Sequence, residues 1–288
     1  MSETKLLYGA NVHANGIRQH YLRYGGKGTP LVLVPGITSP AITWGFVGER
    51  LAEKNDVYIL DVRGRGLSST GPDLDYDLDS YADDVLEFIK ALGLKDVTLM
   101  GHSMGARIAI RAARKDSSAL AQLMLVDPPV SGPGRRAYPA KLDWYTESIR
   151  LSRLGMSAED MRRFCPTWTD EQLKLRAEWL HTCDELATRI TFEKFHTEEI
   201  HQDIPHLKVA ARLVVATRGG VMQKEDEEEI SKLTPAIEVV HVENAGHMTP
   251  WDNEEGRYKA ASVLSFPAIT GGRFPCGAPC HLYPFDPV

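Results

Sequence analysis

Short apolar runs rich in β-branched residues recur through the first half of the chain, at residues 31–34, 57–60, 97–100 and 123–126. They are almost continuously hydrophobic rather than alternating, the pattern of strands covered on both faces. Between the second and third runs, Tyr81, Val85, Phe88, Ile89 and Leu92 recur at helical spacing, which predicts a helix over 81–92 with Gly93 as its C-terminal stop. A second helix is predicted over 104–114. Strands alternating with helices give an α/β fold with a mostly parallel central sheet and helices on both faces.

After Asp127 the pattern changes. Residues 131–205 contain no strand-like run, while 143–154, 157–164 and 169–197 read as helices. Two of these open with a capping residue followed by acids, Ser157-Ala158-Glu159-Asp160 and Thr169-Asp170-Glu171-Gln172, which suits the positive end of a helix dipole. Strands return at 211–216 and 237–242, with helices near 227–233 and 254–264. The chain therefore divides into a core of 1–130 and 206–266, a helical cap of 131–205 inserted into it, and an irregular tail, 267–288, rich in proline and glycine.

Composition narrows the function. The 288 residues carry 33 Lys plus Arg against 39 Asp plus Glu, a formal charge of −6, with no basic run to attract nucleic acid or anionic lipid. The N-terminus lacks an apolar leader and no stretch has the length of a membrane span, so a cytoplasmic protein with neither nucleic acid nor membrane as partner is expected. Cys165, Cys183, Cys276 and Cys280 are too few for a disulfide framework. Cys276 and Cys280 lack the second ligand pair that a zinc site requires, so neither metal nor cofactor is expected.

Gly101-His102-Ser103-Met104-Gly105 fits G-x-S-x-G, a weak signal alone that gains weight from its setting. It follows a buried strand and opens an apolar helix, so a sharp turn would lift the Ser103 hydroxyl clear of the backbone beside a helix N-terminus. A neutral serine needs a base. Of ten histidines, His102 should point away from Ser103 on such a turn, His241 lies within a strand, and His181, His196, His201 and His206 belong to the insertion. His247 follows the last strand in a short loop, where its side chain can hang over the carboxyl ends of the sheet.

Together with Asp61-Val62-Arg63-Gly64-Arg65-Gly66-Leu67-Ser68 and Gly246-His247-Met248, the serine motif resembles the α/β-hydrolase family over about residues 10–265. In most of that family the acid of the triad follows the strand after the cap, but here Gly220 stands near that position. A subset places the acid one strand earlier. The resemblance therefore implies a triad of Ser103, Asp127 and His247, with Asp127 as a turn-capping aspartate the plainer alternative. The oxyanion hole is expected at the backbone N–H groups of Met104 and of Ile37, in Val34-Pro35-Gly36-Ile37, where proline replaces the family's histidine.

Longer strings, among them residues 15–28, 36–46, 126–139 and 176–183, resemble the deformylating amide hydrolases of the family. They imply a small, carboxylate-bearing N-formyl amide as substrate, cleaved by water. Arg135 and Arg136 are the first candidates for holding its carboxylate, with a solvated surface as their ordinary role. Trp44, Trp179 and Trp251 could wall the pocket, or simply fill core. The same triad would serve an ester, lactone or carbon–carbon bond hydrolase, and a ligand-binding scaffold of this fold would be free to lose one of its members.

Overall fold

The computed structural model describes residues 5–252; the expected helix at 254–264, the tail and Cys276 and Cys280 lie outside them. Eight strands form one sheet: β1 (Leu6–Ala14), β2 (Ile17–Tyr24), β3 (Thr29–Val34), β4 (Asn55–Leu60), β5 (Val97–His102), β6 (Leu120–Val126), β7 (Ala210–Ala216) and β8 (Glu238–Val242). Their spatial order is β1-β2-β4-β3-β5-β6-β7-β8, antiparallel at the β1 end and parallel from β4 onward. The β1–β2 hairpin is absent from the apolar pattern because β1 is mostly exposed, leaving the Asn15-Gly16 turn as its main signal.

Alternate side chains of the central strands feed two separate cores. Val32 and Val34 pack on one face with Leu99, Phe88 and Ile108, whereas Leu31 and Leu33 pack on the other with Met100, Trp44 and Ile59. Helices α1 (Gly45–Leu51), α2 (Leu78–Ala91) and α3 (Met104–Lys115) accompany these strands. α2 starts where the Asp77 carboxylate accepts the Ser80 N–H at 2.7 Å and buries Tyr81, Val85, Phe88 and Ile89.

Between β6 and β7 the chain makes only helices: α4 (Leu142–Arg153), α5 (Ala158–Arg162), α6 (Asp170–Trp179) and α7 (Glu185–Thr197). The single helix expected over 169–197 is in fact broken. A 3-10 turn at Leu180–Thr182 ends the first half, and the Asp184 side chain accepts the Ala187 N–H at 2.8 Å to start the second. Helical periodicity on both sides hides such a break, although Asp184 is a capping residue. Buried Arg107 on α3 ties both ends of this insertion to the sheet, donating to the carbonyls of Pro129, Ser131 and Glu198 at 2.8, 2.9 and 2.7 Å.

Helices α8 (Lys224–Leu233) and α9 (Thr249–Asp252) complete the described chain. No helix among the described residues is long and apolar enough to cross a membrane.

Candidate active site

Strand register brings the chemistry together. Val126 pairs with His102 on one side and Val214 on the other, so β5 and β6 end at the same level while β7 runs on to Ala216. Ser103 N–H then donates to Val126 O and Asp127 N–H to Val214 O, each at 2.8 Å, placing the two residues side by side at the carboxyl edge. Ser103 sits at φ 54, ψ −119, a conformation costly for a residue with a side chain. Gly101 and Gly105 permit the turn: a Cβ on Gly101 would lie 2.1 Å from Gly105 O, and one on Gly105 would lie 1.9 Å from Val34 O.

His247, in the loop after β8, faces both. Its Nε2 lies 2.9 Å from Ser103 Oγ and its Nδ1 2.6 Å from Asp127 Oδ2. A carboxylate can only accept, so Nδ1 carries the proton and Nε2 is left to accept from the serine. Asp127 is completely buried, and the loop bearing His247 is fixed by Arg218 N–H to Ala245 O at 2.9 Å.

His102 is closer to this centre than the sequence suggests. Its Nε2–H donates to His247 O at 2.9 Å, and its ring lines the same cavity. Burial first, and then the neighbouring His247, push its pKa down to about 3, so it stays neutral and holds the His247 backbone.

Met104 is the first residue of α3, directly after Ser103, so its N–H has no acceptor within the helix. The loop carrying Ile37 is braced by residues whose role was not visible in the sequence. Fully buried Arg65 donates Nε–H to Ile37 O at 2.9 Å, and Asp61 accepts the Ala41 N–H at 2.6 Å. The Asp61 to Ser68 motif thus supports the loop that faces the nucleophile.

A cavity of about 220 Å3 opens over Ser103 and His247, lined also by Ile37, Tyr138, Trp144, Tyr145, Trp168 and Arg176. Two expectations for its walls are corrected. Arg135 turns away to a bidentate pair with Glu229 at 2.9 Å, and Arg136 pairs with Asp226. The acidic stretch of α8 takes both cations, and neither lines the cavity. Trp44 and Trp251 pack against each other behind the site at 4.6 Å between centroids, and Trp179 lies at the end of α6, outside the lining.

The cavity's cation is Arg176 of α6. It is 3% exposed, its two terminal nitrogens donate to Thr38 O and Thr38 Oγ1 at 3.0 and 3.1 Å, and its buried Nε has no partner among the described residues. No carboxylate pairs with it there, while the faces of Trp168 and Trp144 lie 5.5 and 5.9 Å from its guanidinium carbon. In the sequence it was one helical arginine among several, and only the fold distinguishes it. No group of three or more potential metal ligands occurs among the described residues.

A family model described as the alpha/beta hydrolase fold matches residues 29–254. The chain is 62% identical over 262 residues to N-formylmaleamate deformylase of Pseudomonas putida, covering 91% of this chain and 98% of that protein. A crystal structure of an N-formylmaleamic acid deformylase from Pseudomonas putida S16 superposes with a TM-score of 0.85 at 58% identity, covering 88% of this chain and 99% of that one. E-2-(acetamidomethylene)succinate hydrolase, at 20% identity and a TM-score of 0.72 over 89% of this chain and 98% of its own, shares the fold.

Proposed function

The chain belongs to the α/β-hydrolase family, and from that footing we propose that it hydrolyses N-formylmaleamate to maleamate and formate, a step of nicotinate breakdown, with Ser103 as nucleophile. The observation that carries the reading is one cavity lined by Ser103 and His247 of a serine–histidine–aspartate relay and by an arginine with no carboxylate partner among the described residues. A dianionic or polymeric substrate would find too little charge and too little room; a small monocarboxylate suits both.

In this reading the substrate carboxylate pairs with Arg176 and the formyl carbon lies against Ser103 Oγ. His247 Nε2 takes the serine proton as Oγ attacks, and Asp127 stabilises the imidazolium that forms. The tetrahedral oxyanion rests on the N–H groups of Ile37 and Met104. His247 then returns the proton to the departing nitrogen, maleamate leaves, and water, deprotonated by the same imidazole, releases formate from the formyl-serine. The segment 131–205 acts as the cap, contributing Tyr138, Tyr145, Trp168 and Arg176 to substrate selection.

Arg176 favours this reading over an unspecialised esterase. A buried guanidinium without a countercharge costs solvation energy, and a substrate carboxylate would recover it. Formate and maleamate released together from N-formylmaleamate by the purified protein test the proposal; turnover of neutral esters alone would contradict it.

A further inference from the structure

Two buried tyrosines share a cavity with the nucleophile and the cation. Tyr138 lines the cavity together with Ser103, its ring centroid 6.3 Å from that of His247. Its hydroxyl lies 3.1 Å from the Tyr145 hydroxyl, and Tyr145 in turn feels the charge of Arg176. Ser103, Tyr138, Tyr145 and Arg176 thus all line one cavity, the two phenols joined to each other. Tyr138 is fixed from behind, its backbone N–H donating to His196 Nε2 at 3.3 Å and its ring packing edge-on to Phe195 at 5.2 Å. The proton relay of Ser103, His247 and Asp127 leaves both phenols without a task.

The substrate class proposed above has a chemical need that the relay does not meet. Its nitrogen is shared by two acyl groups. When the bond from formyl carbon to nitrogen breaks, the electron pair that remains is delocalised onto the oxygen of the second carbonyl. With the formyl group at Ser103 and the carboxylate at Arg176, that second carbonyl lies between them, in the cavity that Tyr138 lines.

Resting on that reading, we infer that Tyr138 is a further catalytic residue, a donor to the second carbonyl oxygen of the substrate that stabilises the leaving group as the C–N bond breaks. Tyr145 orients it: when the Tyr145 O–H donates to the Tyr138 oxygen, the Tyr138 proton is free for the cavity. Burial raises the pKa of both phenols above the usual 10, so both remain donors in neutral solution. No proton changes owner at Tyr138. The electron pair passes to the nitrogen–carbonyl unit, His247 Nε2–H supplies the proton to nitrogen, and the phenol holds the oxygen while the charge is there. The site therefore has one oxyanion hole for the attacked carbonyl and a second donor for the departing one.

The test compares two formyl donors, N-formylmaleamate and p-nitrophenyl formate, whose leaving group has no second carbonyl and needs no help. Tyr138→Phe keeps the ring and its packing. It should lower kcat on N-formylmaleamate by about a hundredfold, the usual effect of losing one preorganised donor, while p-nitrophenyl formate turnover stays within about threefold of the unmodified protein. Tyr145→Phe should give a smaller loss with the same selectivity. Equal losses on both substrates, or no loss on either, overturn the inference. Unmodified protein that turns over the ester but releases no formate from N-formylmaleamate overturns the deformylase reading itself, and is seen before any variant is compared.

Discussion

Gly219 makes room for Asp127: a Cβ at position 219 would lie 2.9 Å from the Oδ2 that accepts the His247 Nδ1–H. The carboxylate reaches in from β6 toward the end of β7, where most of the family would place an acid on β7 itself. A glycine there and an aspartate one strand earlier are two halves of one arrangement.

If Asp127 orients and stabilises the imidazole, Asp127→Asn should lower kcat by about 10^4, because an amide NH2 donating to Nδ1 favours the imidazole tautomer that carries its proton on Nε2. Gly219→Ala should lower kcat by about ten- to a hundredfold with little change in KM, since it displaces the carboxylate without touching the substrate's polar ends. Steady-state kinetics check both. Near-normal activity of Asp127→Asn would move the acid elsewhere.

The arginines separate by location. Arg176→Met should raise KM for a carboxylate substrate by about tenfold to a hundredfold, the worth of a charge-assisted hydrogen bond, with little effect on neutral esters. Arg135→Ala and Arg136→Ala should leave both kinetic constants nearly unchanged, because their partners are Glu229 and Asp226 on α8. A KM change confined to the latter pair would reverse the assignment.

Ser103 is held in a backbone conformation that disfavours side chains. Ser103→Gly should therefore abolish turnover while raising folding stability by about 1 kcal/mol, strain relief partly offset by the freer unfolded glycine. Urea unfolding measures this, and a less stable Ser103→Gly protein would contradict it.

His102 predicts a pH dependence. Folded, it resists protonation until about pH 3, whereas in the unfolded chain it titrates at its ordinary 6.5. The unfolded state binds the extra proton between these values, so stability falls as pH drops below 6.5, by about 1 kcal/mol per unit. Denaturation midpoints from pH 7 to 4 should show this slope, and His102→Gln should flatten it.

The parallel part of the sheet was legible because its strands are buried on both faces and interrupted by strong helical periodicity, and Ser103 and His247 stood out by their places at strand ends. The outer hairpin was not, since β1 exposes most of its residues. Cavity walls were the least legible. Trp144 and Trp168, rather than Trp44, Trp179 and Trp251, line the site because the break at 180–184 and the packing of α4 to α6 decide which helix faces turn inward, and side-chain type alone carries no sign of that. Arg135 and Arg136 lay near Asp127 in sequence, but the acids of α8, distant in sequence, are adjacent in space.

The central claim is tested most directly by incubating purified protein with N-formylmaleamate and quantifying formate and maleamate, alongside Ser103→Ala. Equal amounts of the two products from the unmodified protein, and none above background from Ser103→Ala, are predicted. No formate from the unmodified protein, or undiminished release by Ser103→Ala, would contradict the account.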